Sequence, residues 1–314
     1  MRIYFKQLLF LKTFAPKIAG KNKVISLAPT NTRATIHYSK YGPNKFFDCT
    51  TSKGTIAYDK YLTESIDLHS VTIRDLRGSL EQPELFKDGF TFLKDKVEGL
   101  EHCKEYDDYA KLLRPAAEKL VKEKIGAATT VAFGLRRRFK VNRSPTEQDQ
   151  SAPVPRVHSD WSPEGAEKIL KDIADSKLQL PQSENLETFK KLYGEPGSRL
   201  LIINVWRPLK NVYRDPLAIC NWRSAQPKKN ALKVDFFSPT RRGCLQWLHI
   251  KEHQWFYHSE QTPDTPVMFL QYDSKINGHY TIPHTSFSDP KYPKDLPPRE
   301  SFEIRVAAIL RDQN

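Results

Sequence analysis

His158 and Asp160 stand two positions apart in Arg156-Val157-His158-Ser159-Asp160-Trp161-Ser162-Pro163. On an extended strand, side chains at i and i+2 leave the same face, so one imidazole nitrogen and one carboxylate oxygen could reach the same cation. Two histidines and a carboxylate on one face of an octahedron, with the other positions open, form a ligand set suited to non-haem iron(II). The second histidine must then come from a distant strand. His284, in Ile282-Pro283-His284-Thr285-Ser286-Phe287, is the candidate. Further along, Pro298-Arg299-Glu300-Ser301 offers a guanidinium fork and a hydroxyl, a pair suited to gripping a carboxylate.

By itself His-x-Asp is a weak signal, because a lone histidine is more often a satisfied structural residue than a ligand. Order along the chain adds weight: His-x-Asp on a strand, a β-rich stretch, a second histidine on a strand, then Arg-x-Ser opening the last strand. A rival exists in His249-Ile250-Lys251-Glu252-His253, literally the inverted zinc-protease pattern. That chemistry needs a helix to bring both histidines together. Here Trp247, Trp255, Phe256 and Tyr257 favour strand instead. His258-Ser259-Glu260 is one more His-x-acid pair, with no distant partner tied to it.

The positioning elements read as follows. Strands are expected at residues 32–38, 70–77 and 89–93, and at 129–133. Residues 104–124 carry apolar side chains at helical spacing, with Gly126 as the stop and Pro115 predicting a kink or two helices. Residues 142–155 are a polar, proline-bearing loop, and 163–179 form a helix covering the His158 strand. Residues 180–198 are a long loop or short helix. From 199 onward short strands dominate: 200–206, 216–220, 267–270, 279–287 and 301–310, with Phe302, Ile304, Val306 and Ala308 on one face of the last. Many short strands between turns mean a sandwich or barrel.

With 314 residues the chain can hold one large β domain with helical additions. Its apolar content of 39% and aromatic content of 11% allow a sizeable core with aromatic-lined pockets. The net charge of +13 is read as spread over solvated faces. The densest basic run, Arg136-Arg137-Arg138 with Lys140 and Arg143, is too short and unrepeated for a nucleic-acid stripe. Cys49, Cys103, Cys220 and Cys244 are widely spaced, which implies reduced thiols rather than a zinc knuckle or disulfide framework. Residues 1–47 hold nine Lys or Arg and no acid, so residues 1–28 read as a basic extension. That extension is disordered or a mitochondrial targeting segment; a cytoplasmic protein is the default. No apolar run is long enough for a membrane span.

Several longer blocks carry a family resemblance. Val157-His158-Ser159-Asp160-Trp161-Ser162-Pro163-Glu164-Gly165-Ala166 resembles the metal-binding start of a fungal and bacterial oxygenase family. The family includes the gibberellin desaturase, the cephem 7-methoxylase subunit, and hydroxylase/desaturase enzymes of fungal secondary metabolism. Further matching blocks are Ile203-Asn204-Val205-Trp206-Arg207-Pro208-Leu209, Asp215 to Ser224, Gln271-Tyr272-Asp273-Ser274, Pro283 to Pro290, and Pro298 to Arg305. The resemblance spans about Thr32 to Leu310.

It implies a mainly β fold with α elaborations around a double-stranded β-helix (jelly-roll, cupin-like) core. It also implies Fe(II), 2-oxoglutarate and O2, acting on a small organic molecule by hydroxylation or desaturation. His158, Asp160 and His284 would be the iron ligands. Arg299 would bind the distal carboxylate of 2-oxoglutarate with Ser301 assisting, and Arg305 is the alternative arginine. Trp161, Trp206 and Arg207 are candidates for the substrate side, with structural packing at the strand end the equal alternative for Trp206 and Arg207, while Asp215 and Arg223 read as a buried pair or turn brace. Residues 29–314 would form one oxygenase domain: an α/β elaboration over 29–150 and the β-helix core over 151–314. No nucleic-acid or membrane partner is expected, and the state is monomer or homodimer. The competing reading is a cupin-like binding protein without turnover, or a partner subunit of a methoxylation system.

Overall fold

The computed structural model describes residues 31–140, 151–237, 243–276 and 281–311, with side chains for all of these except 235–237. The basic extension over 1–28 and most of the loop before His158 lie outside the described residues. The first part of the chain supplies β1 (Thr32–Ser39), β2 (Lys45–Asp48), α1 (Ser52–Glu64), β3 (Ile66–Asp75), α2 (Leu85–Asp88), β4 (Phe90–Phe92), α3 (Tyr106–Ile125) and β5 (Thr129–Arg138). After it come β6 (His158–Ser159), α4 (Pro163–Ala174), α5 (Glu184–Leu192), β7 (Ser198–Pro208), β8 (Leu217–Cys220), α6 (Pro227–Asn230) and β9 (Ala231–Phe237). The last are β10 (Cys244–Trp247), β11 (Trp255–Tyr257), β12 (Val267–Asp273), β13 (His284–Ser286) and β14 (Ser301–Arg311).

Two sheets result, with orders β1-β3-β11-β8-β13-β6-β10-β9-β2 and β4-β12-β7-β14-β5. Eight of these strands, taken in chain order as β5, β6, β7, β8, β11, β12, β13 and β14, alternate between the sheets in a definite way. The first, eighth, third and sixth lie side by side in one, and the second, seventh, fourth and fifth in the other. This is the pairing of a jelly roll, and the mainly β expectation holds. Strands from before and after residue 150 share both sheets. The larger sheet also curls on itself: His37 bridges Arg156 in parallel, and Val157 N–H donates to His37 O at 2.8 Å. That bridge closes β1-β3-β11-β8-β13-β6 into a ring whose strands contribute Ile36, Tyr38, Cys220, Trp255 and Tyr257 to one apolar cluster.

Strict alternation along β14 divides its side chains between two environments. Phe302, Ile304, Val306 and Ala308 pack outward with Tyr109, Leu113, Ala117 and Val121 of α3. Each fully buried Leu, Ile or Phe there contributes roughly 1.5–3 kcal/mol. Ser301, Glu303 and Arg305 face the other sheet. β7 divides the same way, with Leu201, Ile203 and Val205 outward and Asn204 and Trp206 inward.

Helix α3 is continuous through Pro115, so this stretch is one helix rather than two. Pro115 lies on the solvent side, between buried Leu113 and Ala117, so the hydrogen bond it removes would have been made to an exposed turn that water can reach. Gly126 ends the helix at φ 65°. Helix α4 starts as its sequence implies, with Ser162 Oγ accepting from Gly165 N–H at 3.1 Å and proline in the first turn. Among the described residues no helix is long and apolar enough to cross a membrane.

Candidate metal centre

Strands β6 and β13 are adjacent and antiparallel, and His158 and His284 are direct register partners. Their ring centroids lie 4.3 Å apart. Asp160 follows β6 and turns back beneath them. Its Oδ1 is 3.7 Å from His158 Nε2 and 4.0 Å from His284 Nε2. One ligand atom from each of the three residues lies within 4.8 Å of the others.

Both rings are held by their other nitrogen. His158 Nδ1 bonds Arg156 O at 2.8 Å, and His284 Nδ1 bonds Ile282 O at 3.2 Å. A carbonyl only accepts, so Nδ1 carries the proton in each ring and Nε2 keeps its lone pair for the shared space. Such a bond orients a metal-binding histidine and fixes its tautomer. His284 Nε2 is buried with no protein partner. Burial, then the neighbouring His284, pushes the His158 imidazole down to about 3, so it stays neutral at ordinary pH. Burial alone would raise the Asp160 carboxyl. The Arg305 guanidinium, the two imidazoles and the Asn204 amide outweigh it and hold the group well below the usual carboxylate range. Two imidazole Nε2 atoms and an ionised carboxylate, converging on one point, match the donor set a divalent cation requires.

A small cavity open to solvent lies beside these residues. Its polar wall includes Arg138, Arg299 and Glu303, and its apolar wall includes Trp206, Leu217 and Phe269. Arg299 is buried, with its guanidinium 5.1 Å above the Trp206 ring and one amino group donating to Asp215 O. Its Nε has no protein partner, nor does Ser301 Oγ. Desolvation lowers the Arg299 guanidinium to about 10, still charged at neutral pH. A buried cation with an unused donor at the cavity wall suits an incoming carboxylate, while Ser301, two residues on, is not itself part of that wall.

The other expected residues are placed differently. Arg305 lies away from Arg299, its amino group 3.1 Å from Asp160 Oδ2 and 2.8 Å from Glu303 Oε1. Trp206 lines the cavity. Trp161 is buried beneath the Arg305 guanidinium at 5.5 Å and is not part of the cavity wall. Arg207, next to Trp206 in β7, takes the opposite face. Its guanidinium binds the Asp95 carboxylate, Asp95 O at 2.7 Å and Pro263 O at 2.8 Å. It does not meet the cavity, because neighbours in a strand point to opposite faces.

Asp215 and Arg223 do not pair. Arg223 contacts Asp88 at 2.9 Å, and Asp215 sits at φ 50° beside Arg214. The His249-to-His253 stretch is not helical. Both ring nitrogens of His253 are used, by Tyr38 Oη at 2.9 Å and Asn230 Nδ2 at 2.8 Å, while His249 stacks on His69. Glu260 is paired with Arg77 rather than with His258. All four cysteines are free.

Asn204 and Gln271 were not expected at the site. Asn204 Nδ2 donates to Asp160 Oδ2 at 2.7 Å, and Gln271 Oε1 accepts the Asp160 N–H at 2.9 Å. A signal was present: each is a polar residue on the inward face of an otherwise apolar buried strand, where it must find a specific partner.

Against this geometry, the chain resembles known proteins along most of its length. It is 28% identical over 268 residues to hydroxylase/desaturase efuI of Hormonema carpetanum, covering 77% of this chain and 84% of that protein. It is 29% identical over 251 residues to the Fe(II)/2-oxoglutarate-dependent dioxygenase nvfI of Aspergillus novofumigatus, covering 76% and 82%. A solved structure of the iron and alpha-ketoglutarate-dependent endoperoxidase NvfI superposes with a TM-score of 0.71 at 21% identity, over 90% of this chain and 99% of that one. At that identity the superposition bears on fold alone. A family model described as Oxidoreductase/YMDC permease-like domain matches residues 37–309, a span holding every side chain of the centre. Most of both sheets, together with His158, Asp160 and His284, thus falls within one matched unit, and the chain belongs to that oxidoreductase family.

Proposed function

We propose that this protein is an Fe(II)- and 2-oxoglutarate-dependent oxygenase that hydroxylates or desaturates a small organic molecule of secondary metabolism. The reading rests on one observation above others. His284 Nε2 is buried without a protein partner and faces the ligand atoms of His158 and Asp160. The names of relatives, hydroxylase/desaturase and alpha-ketoglutarate-dependent dioxygenase among them, support the same chemistry. In this reading His158, Asp160 and His284 hold the iron, and residues 29–314 act as one catalytic domain.

Bound together, iron, 2-oxoglutarate and O2 supply the oxidation of an unactivated C–H bond. The chain's own groups do the rest. Arg299 and Ser301 hold the distal carboxylate of 2-oxoglutarate, with Trp206 bracing the guanidinium from behind. Trp206, Leu217 and Phe269 form a dry wall beside the imidazoles, and Thr285 and Ser286 give the same cavity a polar side. The helix α4, which starts just after Asp160, packs with Val131, Ile202, Ala307 and Ile309 and contributes no residue to the cavity wall.

The test is anaerobic addition of Fe(II) and then 2-oxoglutarate to the purified protein, followed by O2. The expected result is a weak visible charge-transfer band that bleaches as succinate forms. A protein that binds the small molecule without turning it over forms no succinate, and that outcome rejects the reading.

A further inference from the structure

The two oxygens of Asp160 have different surroundings. Oδ1 faces both imidazoles. Oδ2 points away from them, to Asn204 Nδ2 at 2.7 Å and an Arg305 amino group at 3.1 Å. The backbone is fixed as well, because Asp160 N–H donates to Gln271 Oε1 at 2.9 Å. All three of these partners come from the five-stranded sheet, opposite the strands that carry the histidines.

Both departures from regular pairing in that sheet occur at these partners. The β12–β7 register shifts between Leu270 and Tyr272, which leaves Gln271 as the extra residue. The β14–β5 register shifts between Arg305 and Val306, which sets Gly134 opposite Arg305. A Cβ on Gly134 would lie 3.1 Å from Arg305 Cδ and 3.2 Å from its Cβ, so glycine leaves the room that the arginine chain occupies. Bulges re-aim side chains, and here each one serves a contact to the same aspartate. Glu303 and the Trp161 ring then hold the Arg305 guanidinium from two further sides.

We propose that Asn204, Arg305 and Gln271 are positioning residues that clamp Asp160 so that it ligates through Oδ1 alone. The inference rests on the metal-centre reading above. A carboxylate free to rotate can offer both oxygens to one cation and fill a second coordination position. With Oδ2 held by an amide and a guanidinium, that position stays open for the bidentate cosubstrate or for O2. The clamp also assigns Arg305 to the aspartate and leaves Arg299 for the cosubstrate.

Co(II) serves as the probe, because its visible absorption reports coordination number and its binding needs no turnover. Wild-type protein is expected to bind Co(II) and then 2-oxoglutarate, each with a spectral change. Asn204→Ala and Arg305→Met are expected to weaken Co(II) binding about tenfold or more. They are also expected to alter the Co(II) spectrum before 2-oxoglutarate is added, and Arg305→Lys is expected to restore most of the loss. Urea unfolding identifies any variant that does not fold, and Asn204→Ala, the milder change, decides if Arg305→Met fails. Folded variants with wild-type Co(II) affinity and spectrum overturn the clamp alone. Wild-type protein that binds neither Co(II) nor 2-oxoglutarate overturns the metal-centre reading, and the clamp with it.

Discussion

His158 and His284 face each other across the β6–β13 pairing as direct register partners, although they are far apart in the chain. Their proton-bearing nitrogens are tied to Arg156 O and Ile282 O, the carbonyls two residues before each. The same local device is therefore used twice, once on each strand, and it leaves two lone pairs converging on Asp160. If these three groups ligate iron, Asp160→Ala removes the only anionic ligand and abolishes 2-oxoglutarate turnover. Succinate release assayed by mass spectrometry checks this, and full decarboxylation by the variant would show the assignment to be wrong.

Arg299 and Arg305 separate by their partners, so their variants should separate by their readouts. Arg299→Gln removes the charge at the cavity wall and should raise the apparent KM for 2-oxoglutarate roughly 10- to 100-fold, the effect of losing a charged hydrogen bond worth ~1.5–3 kcal/mol. Metal affinity should stay near wild type in that variant. Calorimetric titration with Mn(II), then with 2-oxoglutarate, measures both terms. A large loss of metal affinity with intact cosubstrate binding would reverse the two arginines' roles.

Arg207 is expected to matter for folding rather than for the site. Its guanidinium is almost fully buried and holds the Asp95 carboxylate together with two carbonyls. Arg207→Met should cost about 2–3 kcal/mol, less than a fully buried pair because Asp95 remains partly exposed. Urea midpoints measure the cost. Wild-type stability combined with a raised substrate KM would instead place Arg207 at the substrate.

His253 should make stability depend on pH. Burial, then the nearby His249, lowers its imidazole to about 4, while an unfolded histidine titrates near about 6.5. Above the unfolded value both states are neutral and the stability is fully present. As pH falls from there toward the folded value, the unfolded chain takes up a proton that the folded chain does not, and stability drops. The loss amounts to at most about 3 kcal/mol and levels off below the folded value. His253→Gln should flatten this part of the stability curve relative to wild type. An unchanged slope between the two values would mean that His253 is not the group responsible.

The chemistry-bearing residues could be read from the chain because their types and order carry the information. A histidine and an aspartate at strand spacing, a later strand histidine, and an arginine before the last strand are local patterns, and alternation along β14 is local too. Most element types followed for the same reason, since apolar periodicity reports which face each segment buries, but α1, β2 and β9 were not among the expected elements. Pro115 left one helix or two open because its effect depends on whether its side of the helix meets solvent, which depends on the sheet packed against the other side. Arg207 was open between the substrate side and packing because the face a strand residue takes is relative, and only the pairing of β7 with β14 and β12 decides which side is the cavity. Asn204, Gln271 and Arg305 meet at Asp160 from three strands of the opposite sheet, brought into reach by two bulges. No spacing in the sequence encodes that meeting. Segments distant in the chain become neighbours only once the sheets have folded over one another, so the ligand types belong to the sequence and the orientation of Asp160 belongs to the tertiary structure.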